Sequence, residues 1–237
     1  PVDIYFKVKN ISISKIRKIG ISKDNSNFLI KNGINIKKIG WPILDIKIFE
    51  DSKKNIEILN FKRNKIERFL MFKNYELYKK IENSLIKKKN YKKKIIKKNS
   101  FYSKIINDDK YEIIINTEKK NYLTNKYFYK KIKKEYDGIA IATIINHNSC
   151  KNNTAFQIFT KMGPLAFLPI SKNKTSLVFS LYKNKNFQNE NEIKNIIFKY
   201  NKYYKIKSFS KFEKANLEFT MSRNYYYKNI LNFGDNL

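Results

Sequence analysis

The sequence predicts a mixed α/β protein in which helices and parallel strands are interrupted by an antiparallel sheet. Short runs rich in Val, Ile, Phe and Tyr recur along the 237 residues, and capped helical patterns separate several of them. Four strand-like runs also follow one another between residues 138 and 181 with only polar turns between them, which is typical of an antiparallel meander. Hydrophobic residues make up 42% of the chain, so an intrinsically disordered polyelectrolyte is excluded.

The first half of the chain alternates strands with two helices. Ser22 is a predicted N-cap, and Asn32-Gly33 is a C-cap signal for the helix between them. Leu77, Ile81 and Leu85 form the apolar stripe of the clearest helix, which Asn74 is expected to cap. The predicted elements are strands at 1–9, 42–49, 55–61 and 111–115, a hairpin turn at 50–54, and helices at 22–31, 74–86 and 123–134.

The second half contains the meander and ends in a helix and a strand. The run from Phe159 to Ile170 carries one charge and holds two of the four prolines, so it stands out from the lysine-rich background. The predicted elements are strands at 138–145, 156–160, 164–170, 176–181 and 229–233, and a helix at 190–204.

The net charge of +31 has two interpretations. Binding to nucleic acid is one, and the eight lysines between residues 87 and 98 are the best patch for it. However, only four of the 51 basic residues are arginine, the residue that specific phosphate and base contacts favour. Lys, Ile, Asn, Phe and Tyr all have codons rich in A and T. We therefore favour drift in an AT-rich genome, such as that of a reduced endosymbiont, with a strand at Ile95-Ile96 flanked by solvated lysines.

Nucleophilic and metal chemistry are not predicted. The one histidine, His147, and the one cysteine, Cys150, are too few for a zinc site, and neighbours in sequence rarely form a catalytic dyad. A single cysteine excludes an intrachain disulfide and favours a reducing compartment. No apolar run is long enough to span a membrane.

Several motifs together resemble one enzyme family. Residues 136–144, 155–159, 163–170 and 176–179 match, in order and spacing, the central part of the FAD-dependent hydroxylases of ubiquinone biosynthesis, which belong to the para-hydroxybenzoate-hydroxylase-like class. Arg17-Lys18-Ile19-Gly20-Ile21-Ser22 resembles the family's R-x-x-A-L-S segment, Asn74 to Leu77 resembles N-x-x-L, and Gly234-Asp235 resembles the second FAD fingerprint. The resemblance covers nearly the whole chain, most specifically residues 136–181.

The resemblance implies a cofactor site and a substrate wall. Arg17, Gly234 and Asp235 would contact FAD, and Gly163, Pro164 and Leu165 would form the apolar wall between flavin and substrate. The alternative for residues 164–170 is a core strand of the substrate sheet. Residues 1–37, 66–135 and 221–237 would form a Rossmann-like FAD-binding layer, and residues 38–65 and 136–220 an antiparallel substrate-binding sheet with a helix.

Three features depart from the family pattern. The G-x-G-x-x-G fingerprint should lie before residue 1, and Phe6-Lys7 stand where an acidic residue should hold the ribose. Asn116-Thr117-Glu118-Lys119 replace the G-A-D-G motif. With no initiator Met and little sequence after Gly234-Asp235, we expect an internal piece of a longer protein that binds FAD poorly by itself.

The resemblance implies an aromatic-ring hydroxylase that uses FAD, NAD(P)H and O2 on a polyprenylated phenol. The alternatives are a lysine-rich nucleic-acid-binding protein and a non-catalytic remnant without flavin. The expected location is the cytoplasm. The positive charge could also support contact with an anionic inner membrane, and a complex with other ubiquinone-biosynthesis proteins is a further expectation.

Overall fold

The computed structural model describes residues 2–6, 17–51, 56–62, 67–96, 98–107, 110–182 and 189–234. The elements in chain order are β1 (Val2–Phe6), β2 (Lys18–Ser22), α1 (Lys23–Lys31), β3 (Trp41–Ile43), β4 (Asp45–Glu50), β5 (Glu57–Lys62), β6 (Phe69–Lys73), α2 (Asn74–Ile86), β7 (Tyr91–Ile95), α3 (Ser100–Asn107), β8 (Ile114–Asn116), α4 (Tyr122–Tyr127), β9 (Lys131–His147), β10 (Thr154–Thr160), β11 (Gly163–Ser171), β12 (Lys174–Tyr182), α5 (Glu190–Tyr200), β13 (Ile206–Phe209), β14 (Glu213–Ser222), β15 (Tyr226–Tyr227) and β16 (Ile230–Asn232). The mixed α/β prediction is confirmed.

The chain divides into two compact units. Unit 1 comprises Pro1–Ile11, Asn90–Tyr136 and Leu217–Leu237. Unit 2 comprises Ser12–Lys89 and Asp137–Asn216. The assignment of a cofactor layer and a substrate sheet to parts of the chain stays a prediction.

The largest sheet runs in the order β13-β9-β12-β11-β10-β4-β5, with β14 also paired to β9. Antiparallel pairing of β10 with β11 and of β11 with β12 confirms the last three strands of the predicted meander. The first strand is out of the predicted order, because β9 pairs with β12 and not with β10. Leu165 and Phe167 of β11 and Phe179 of β12 are fully buried in a core that also contains Ile193 and Ile197 of α5. Alternation along the strands directs these side chains to the face that α5 covers.

The second sheet of unit 2 has the order β2-β6-β3 and packs with α1 and α2. Ser22 caps α1 by accepting a hydrogen bond from the Asn25 amide, and Gly33 follows Asn32 at φ +83°, as predicted. Helix α2 has the predicted bounds, but Lys73 is its N-cap and makes no side-chain capping bond, so the capping role predicted for Asn74 is wrong.

The strand predicted over residues 42–49 is two strands. β3 pairs with β6 in the three-stranded sheet, whereas β4 pairs with β10 and β5 in the large sheet. Leu44 lies between them and donates its amide to the Asn153 carbonyl. The chain therefore changes sheets at Leu44, which an apolar run cannot reveal. The predicted hairpin is confirmed by the β4–β5 pairing, although residues 52–55 of its turn lie outside the described residues.

The described residues of unit 1 form two small sheets. β1 pairs with β7 in parallel, and β8 pairs in parallel with β16, which also pairs with β15. Ile96, Tyr102 and Ile105 around α3 pack with Leu123 and Phe128 around α4 in the core of the unit. A strand does lie within the lysine tract, but β7 contains Lys92 to Lys94 and ends at Ile95, so these lysines lie in the strand and do not flank it.

Other boundaries differ from prediction. The helix predicted over residues 123–134 ends at Tyr127, because Phe128 is buried in the unit 1 core and β9 begins at Lys131. The strand predicted at 111–115 is displaced to Ile114–Asn116, and α5 ends at Tyr200, four residues early. The sequence analysis did not predict β2, β6, α3, β13, β14 or β15. Within the described residues, no helix is long and apolar enough to cross a membrane.

Candidate functional site

The carboxyl ends of β8 and β16 meet in a cluster of buried amides. Asn116 donates to Asn232 Oδ1 at 3.0 Å and to Thr124 Oγ1 at 2.9 Å, and Asn121 donates to Asn116 Oδ1 at 2.7 Å. The Asn121 side chain also caps α4 by accepting from the Thr124 amide at 2.8 Å. In parallel α/β sheets ligands bind beyond the carboxyl ends of the strands, so this edge is the candidate cofactor side of unit 1.

Gly234 lies two residues beyond the end of β16, at the same edge. Its φ is +72°, and a Cβ added at this position would have no atom within 4 Å, so the space beside it is open. The adjacent Phe233 amide donates to the Asn116 carbonyl at 2.9 Å. Asp235 lies outside the described residues. Arg17 belongs to unit 2, where its carbonyl accepts the amide of Asn74 at the start of α2.

These residues do not fit the pyrophosphate of FAD. A dinucleotide-binding loop presents several glycine amides to the phosphates, and the sequence contains no G-x-G-x-x-G. The acidic side chains that line the cavity of unit 1 are Asp3 and Glu118, and a carboxylate offers a phosphate acceptors and no donors. The Thr124 hydroxyl donates a hydrogen bond to the backbone carbonyl of Glu118 at 2.7 Å. The edge at the carboxyl ends of β8 and β16 therefore lies where a parallel α/β sheet would bind a cofactor. The residues described there do not include a loop that could bind the phosphates.

The carboxylate of Asp3 accepts hydrogen bonds from two side chains of unit 1. Lys94 Nζ donates to it at 2.7 Å, and Tyr111 also donates its hydroxyl to it. The hydrogen bond from Lys94, followed by that from Tyr111, lowers the pKa of Asp3 to about 2. Burial, followed by the bonds to Asp3 and Tyr5, raises the pKa of Tyr111. The ionised carboxylate thus links β1, β7 and the segment that leads into β8.

Unit 2 contains an apolar cavity of about 570 Å³ between its two sheets. Gly20 and Ser22 of β2, Ile46 of β4, Phe61 of β5, and Phe69 and Met71 of β6 line it, together with Arg68. Within the described residues the buried Nε of Arg68 has no hydrogen-bond partner. Since a buried N–H normally has an acceptor, a ligand oxygen is the natural partner for this group.

An apolar surface continues from this cavity along the β4–β5 hairpin. Ile46 lies opposite Phe61, and Ile48 lies opposite Leu59, so these four side chains share one face. Leu59 and Phe61 are 50% and 46% exposed. The face can therefore bind a hydrocarbon chain whose head group enters the cavity.

The predicted substrate wall at Gly163, Pro164 and Leu165 lies at the start of β11. A Cβ on Gly163 would lie 1.9 Å from the Ser180 carbonyl oxygen, and φ at Gly163 is +128°, so glycine is required for the strands to approach. Leu165 is fully buried in the core beneath α5. None of the three lines the cavity that contains Arg68 or the cavity in unit 1. Their contact with flavin or substrate stays a prediction.

Two lysines of the tract, Lys93 and Lys94, and the buried His147 have structural partners. Lys94 pairs with Asp3, and Lys93 lies 4.7 Å from the ring centroid of Phe6. His147 is buried, with Nδ1 2.8 Å from the Asn148 carbonyl oxygen and Nε2 3.0 Å from Thr175 Oγ1. These contacts give no support to a nucleic-acid interface at the tract.

No family model matches the sequence, and no curated protein matches it either. Solved structures do match. A variant of 2-methyl-3-hydroxypyridine-5-carboxylic acid oxygenase aligns with a TM-score of 0.69 at 9% identity, covering 99% of this chain and 68% of that one. p-Nitrophenol 4-monooxygenase from Pseudomonas putida aligns with a TM-score of 0.71 at 10% identity, covering 98% of this chain and 66% of that one. A flavin-dependent brominase variant aligns with a TM-score of 0.67 at 9% identity, covering 99% of this chain and 66% of that one.

The chain shares its fold with these three enzymes. The sequence identities are 9%, 10% and 9%, so the match shows a shared architecture and not a shared chemistry. The brominase shows that this fold also occurs in a flavin enzyme named for a different reaction. Nearly the whole chain aligns, so both units belong to the shared fold.

Sequence reasoning missed Arg68 and the hairpin face. Arg68 is one of only four arginines in a lysine-rich chain, and that rarity was the available signal. The pairing of Ile46 with Phe61 depends on strand register across a turn, and a single sequence does not specify this.

Proposed function

We propose that the protein is an FAD-dependent aromatic-ring hydroxylase that acts on a polyprenylated phenol in ubiquinone biosynthesis. The observation that carries this proposal is the unpartnered Nε of Arg68 in an apolar cavity of a chain that shares its fold with p-nitrophenol 4-monooxygenase. The resemblance of residues 136–181 to the ubiquinone-biosynthesis hydroxylases supports the choice of pathway.

Arg68 would recognise the phenol oxygen. The backbone amide of Arg68 donates to the Ile43 carbonyl at 2.8 Å, which fixes the residue beside β3 and β6. A guanidinium N–H bound to a phenolate oxygen is a charge-assisted hydrogen bond, about twice as strong as a neutral one. Phe61, Phe69 and Met71 supply the apolar walls that hold the ring and exclude water from it.

The prenyl tail would lie along the exposed face of the β4–β5 hairpin. Leu59 and Phe61 leave an apolar surface directly beside the cavity, and solvent-exposed apolar surface of this kind gains free energy when a hydrocarbon covers it. A short phenol would use the cavity alone.

FAD as cofactor and NAD(P)H as reductant belong to the same proposal. The residues described lack the phosphate-binding loop, so flavin binding is expected of a longer polypeptide that supplies it. The chain itself contributes the apolar cavity, the cation that faces the phenol, and the open edge at Gly234.

The test is to purify the protein from its gene with the flanking coding sequence and record its absorbance spectrum. We expect bound flavin, and NAD(P)H oxidation that a prenylated phenol accelerates, with one atom of labelled O2 in the product. Arg68→Met should raise KM for the phenol about tenfold, as expected for a lost charged hydrogen bond of about 1.5 kcal/mol. Arg223→Met, the same substitution at an exposed arginine that does not line the cavity, is the matched control. Absence of flavin from the longest polypeptide would refute the proposal, and an unchanged KM would refute the role of Arg68.

A further inference from the structure

We propose that unit 2 binds a small organic anion between α1 and the segments that lead into β3 and β6. The ligand is a carboxylate or a phosphate monoester that carries a short hydrocarbon portion. The cavity at this place has a volume of about 330 Å³, at the lower end of the range for ligand pockets. None of its lining residues lines the cavity that contains Arg68, so the inference stands independently of the proposed reaction.

The two cavities of unit 2 lie on opposite faces of β6. Phe69 and Met71 line the proposed substrate cavity, whereas Leu70 lines the smaller one. Successive side chains of a strand point to opposite faces of its sheet. Leu70 also belongs to the core against which Ile30 of α1 packs. The smaller cavity therefore lies on the helix-covered face of the β2-β6-β3 sheet, where a bound ligand would not contact the proposed substrate.

One face of α1 forms a wall of the smaller cavity. Lys23, Ser26, Asn27 and Ile30 line it, and their spacing of three and four residues places them side by side on the helix. Along this face a cation is followed by two hydrogen-bonding side chains and then by an apolar one. The face thus matches a ligand with an anionic group at one end and hydrocarbon at the other.

Ser26 is the observation that points to a ligand. It is 3% exposed, and its Oγ has no hydrogen-bond partner within the described residues. A helical serine can donate to the carbonyl four residues earlier, as Ser84 does to Lys80 at 2.9 Å, but Ser26 makes no such bond to Ser22. A buried hydroxyl without a partner destabilises the fold. Rotation about the Cα–Cβ bond of Ser26 would let this hydroxyl donate to an oxygen bound in the cavity.

The charges in the lining favour an anion. Lys23 and Lys37 line the cavity together with a single carboxylate, that of Glu67, so the lining has an excess of one positive charge. In the part of the chain that the structure describes, these three side chains form no ion pair. Both ammonium groups are therefore available to the oxygens of a carboxylate or phosphate.

The apolar lining favours an organic anion over a bare inorganic one. Ile30 of α1, Pro42 of β3 and Leu70 of β6 contribute hydrocarbon to the wall. Covering such surface with a hydrocarbon group gains free energy, and an inorganic ion offers no group that could cover it. The ligand should therefore combine one anionic group with a short apolar portion.

Charge-matched variants separate this site from the general attraction of anions to a protein of net charge +31. Lys23→Gln with Lys37→Gln removes both cations of the cavity. Lys31→Gln with Lys38→Gln removes two exposed lysines from the same helix and the same segment that do not line it. The protein is purified from its gene with the flanking coding sequence. Butyrate, monobutyl phosphate and inorganic phosphate are then titrated into it in about 0.15 M KCl, and calorimetry gives each Kd.

The organic anions should bind more tightly than inorganic phosphate. The cavity-lysine variant should raise their Kd about tenfold, as for a lost charged hydrogen bond, whereas the control variant should change it less than about twofold. The tighter of butyrate and monobutyl phosphate identifies the ligand as a carboxylate or a phosphate ester. Equal losses in both variants, equal binding of inorganic phosphate, or no saturable binding of either organic anion would overturn the proposal.

A pair of serine variants tests the hydroxyl itself. Ser26→Ala should raise the Kd of the tighter organic anion roughly fivefold without lowering the melting temperature of the ligand-free protein, because the hydroxyl has no internal partner and alanine favours helix. Ser84→Ala, which removes a hydroxyl already bonded within α2, should leave the Kd unchanged. An unchanged Kd in Ser26→Ala, or a lower melting temperature without ligand, would refute the role of Ser26. Anion binding without flavin would refute only the proposed function, and flavin without anion binding would refute only this inference.

Discussion

Individual side chains show why particular residue types survive in this lysine-rich chain. Gly163 is required because any Cβ would collide with the Ser180 carbonyl. Asn116 is required because its amide joins β8, β16 and α4 through buried bonds that an apolar residue would leave unmade. Arg68 has no such internal reason among the described residues, since its buried Nε lacks a partner. That contrast separates a candidate ligand contact from the structural positions.

Asp3 leads to a prediction at the same scale. Its folded pKa of about 2 lies below the unfolded value of about 3.9, so its ionised form stabilises the fold above pH ~4, and this contribution disappears as the pH falls through about 2. The difference in free energy of unfolding between the wild type and Asp3→Asn should therefore be constant above pH ~4 and shrink between ~4 and ~2.

Urea denaturation followed by circular dichroism at several pH values measures this difference. Tyr111→Phe removes one donor to the carboxylate while leaving Lys94 in place, so it should show the same pH window with a smaller difference. A difference between wild type and Asp3→Asn that stays constant down to pH 2 would contradict the assignment.

At the scale of elements, the β4–β5 hairpin is the most consequential. It closes one side of the cavity that contains Arg68 and carries apolar side chains on both faces at the end of the large sheet. Such an edge promotes aggregation unless something covers it, and a bound prenyl chain would cover one face.

Leu59→Gln should weaken binding of a prenylated phenol and leave a short phenol unaffected. Covering half of a leucine side chain contributes about 1 kcal/mol, so KM for the prenylated substrate should rise roughly fivefold. Steady-state kinetics with both substrates measures the effect. Ile86→Gln is the control, because Ile86 is 59% exposed and lies at the end of α2, outside the hairpin. Equal effects of the two substitutions would argue against a tail on the Leu59 face.

The whole molecule combines an ordinary core with an extreme charge. Unit 2 buries large apolar side chains between its main sheet and α5, and unit 1 has a smaller core around α3 and α4. The net charge of +31 adds repulsion that opposes folding of both.

Salt should therefore stabilise the protein. Raising KCl from about 0.01 M to about 0.15 M shortens the Debye length from about 30 Å to about 8 Å, so the melting temperature should increase. Differential scanning calorimetry measures it, and an uncharged osmolyte at equal osmolality is the control. A melting temperature that falls or stays unchanged would show that contacts within the folded protein already offset the repulsion between lysines, so that salt has no repulsion left to screen.

Local patterns determined much of the architecture from the sequence alone. The capped helix α1, the bounds of α2 and the β10–β11–β12 meander were predicted correctly, because capping, helical periodicity and short polar turns are encoded by neighbouring residues. The class of fold also followed from the sequence, through motifs in residues 136–181 that resemble flavoprotein hydroxylases.

Only the tertiary structure decided what depends on distant residues. The change of sheet at Leu44, the pairing of Ile46 with Phe61 and the unpartnered Nε of Arg68 arise from packing between segments that the sequence separates. The parallel pairings of β1 with β7 and of β8 with β16 likewise join strands that lie far apart along the chain. Register and burial are properties of the assembled chain, so the candidate substrate cavity became visible only in three dimensions.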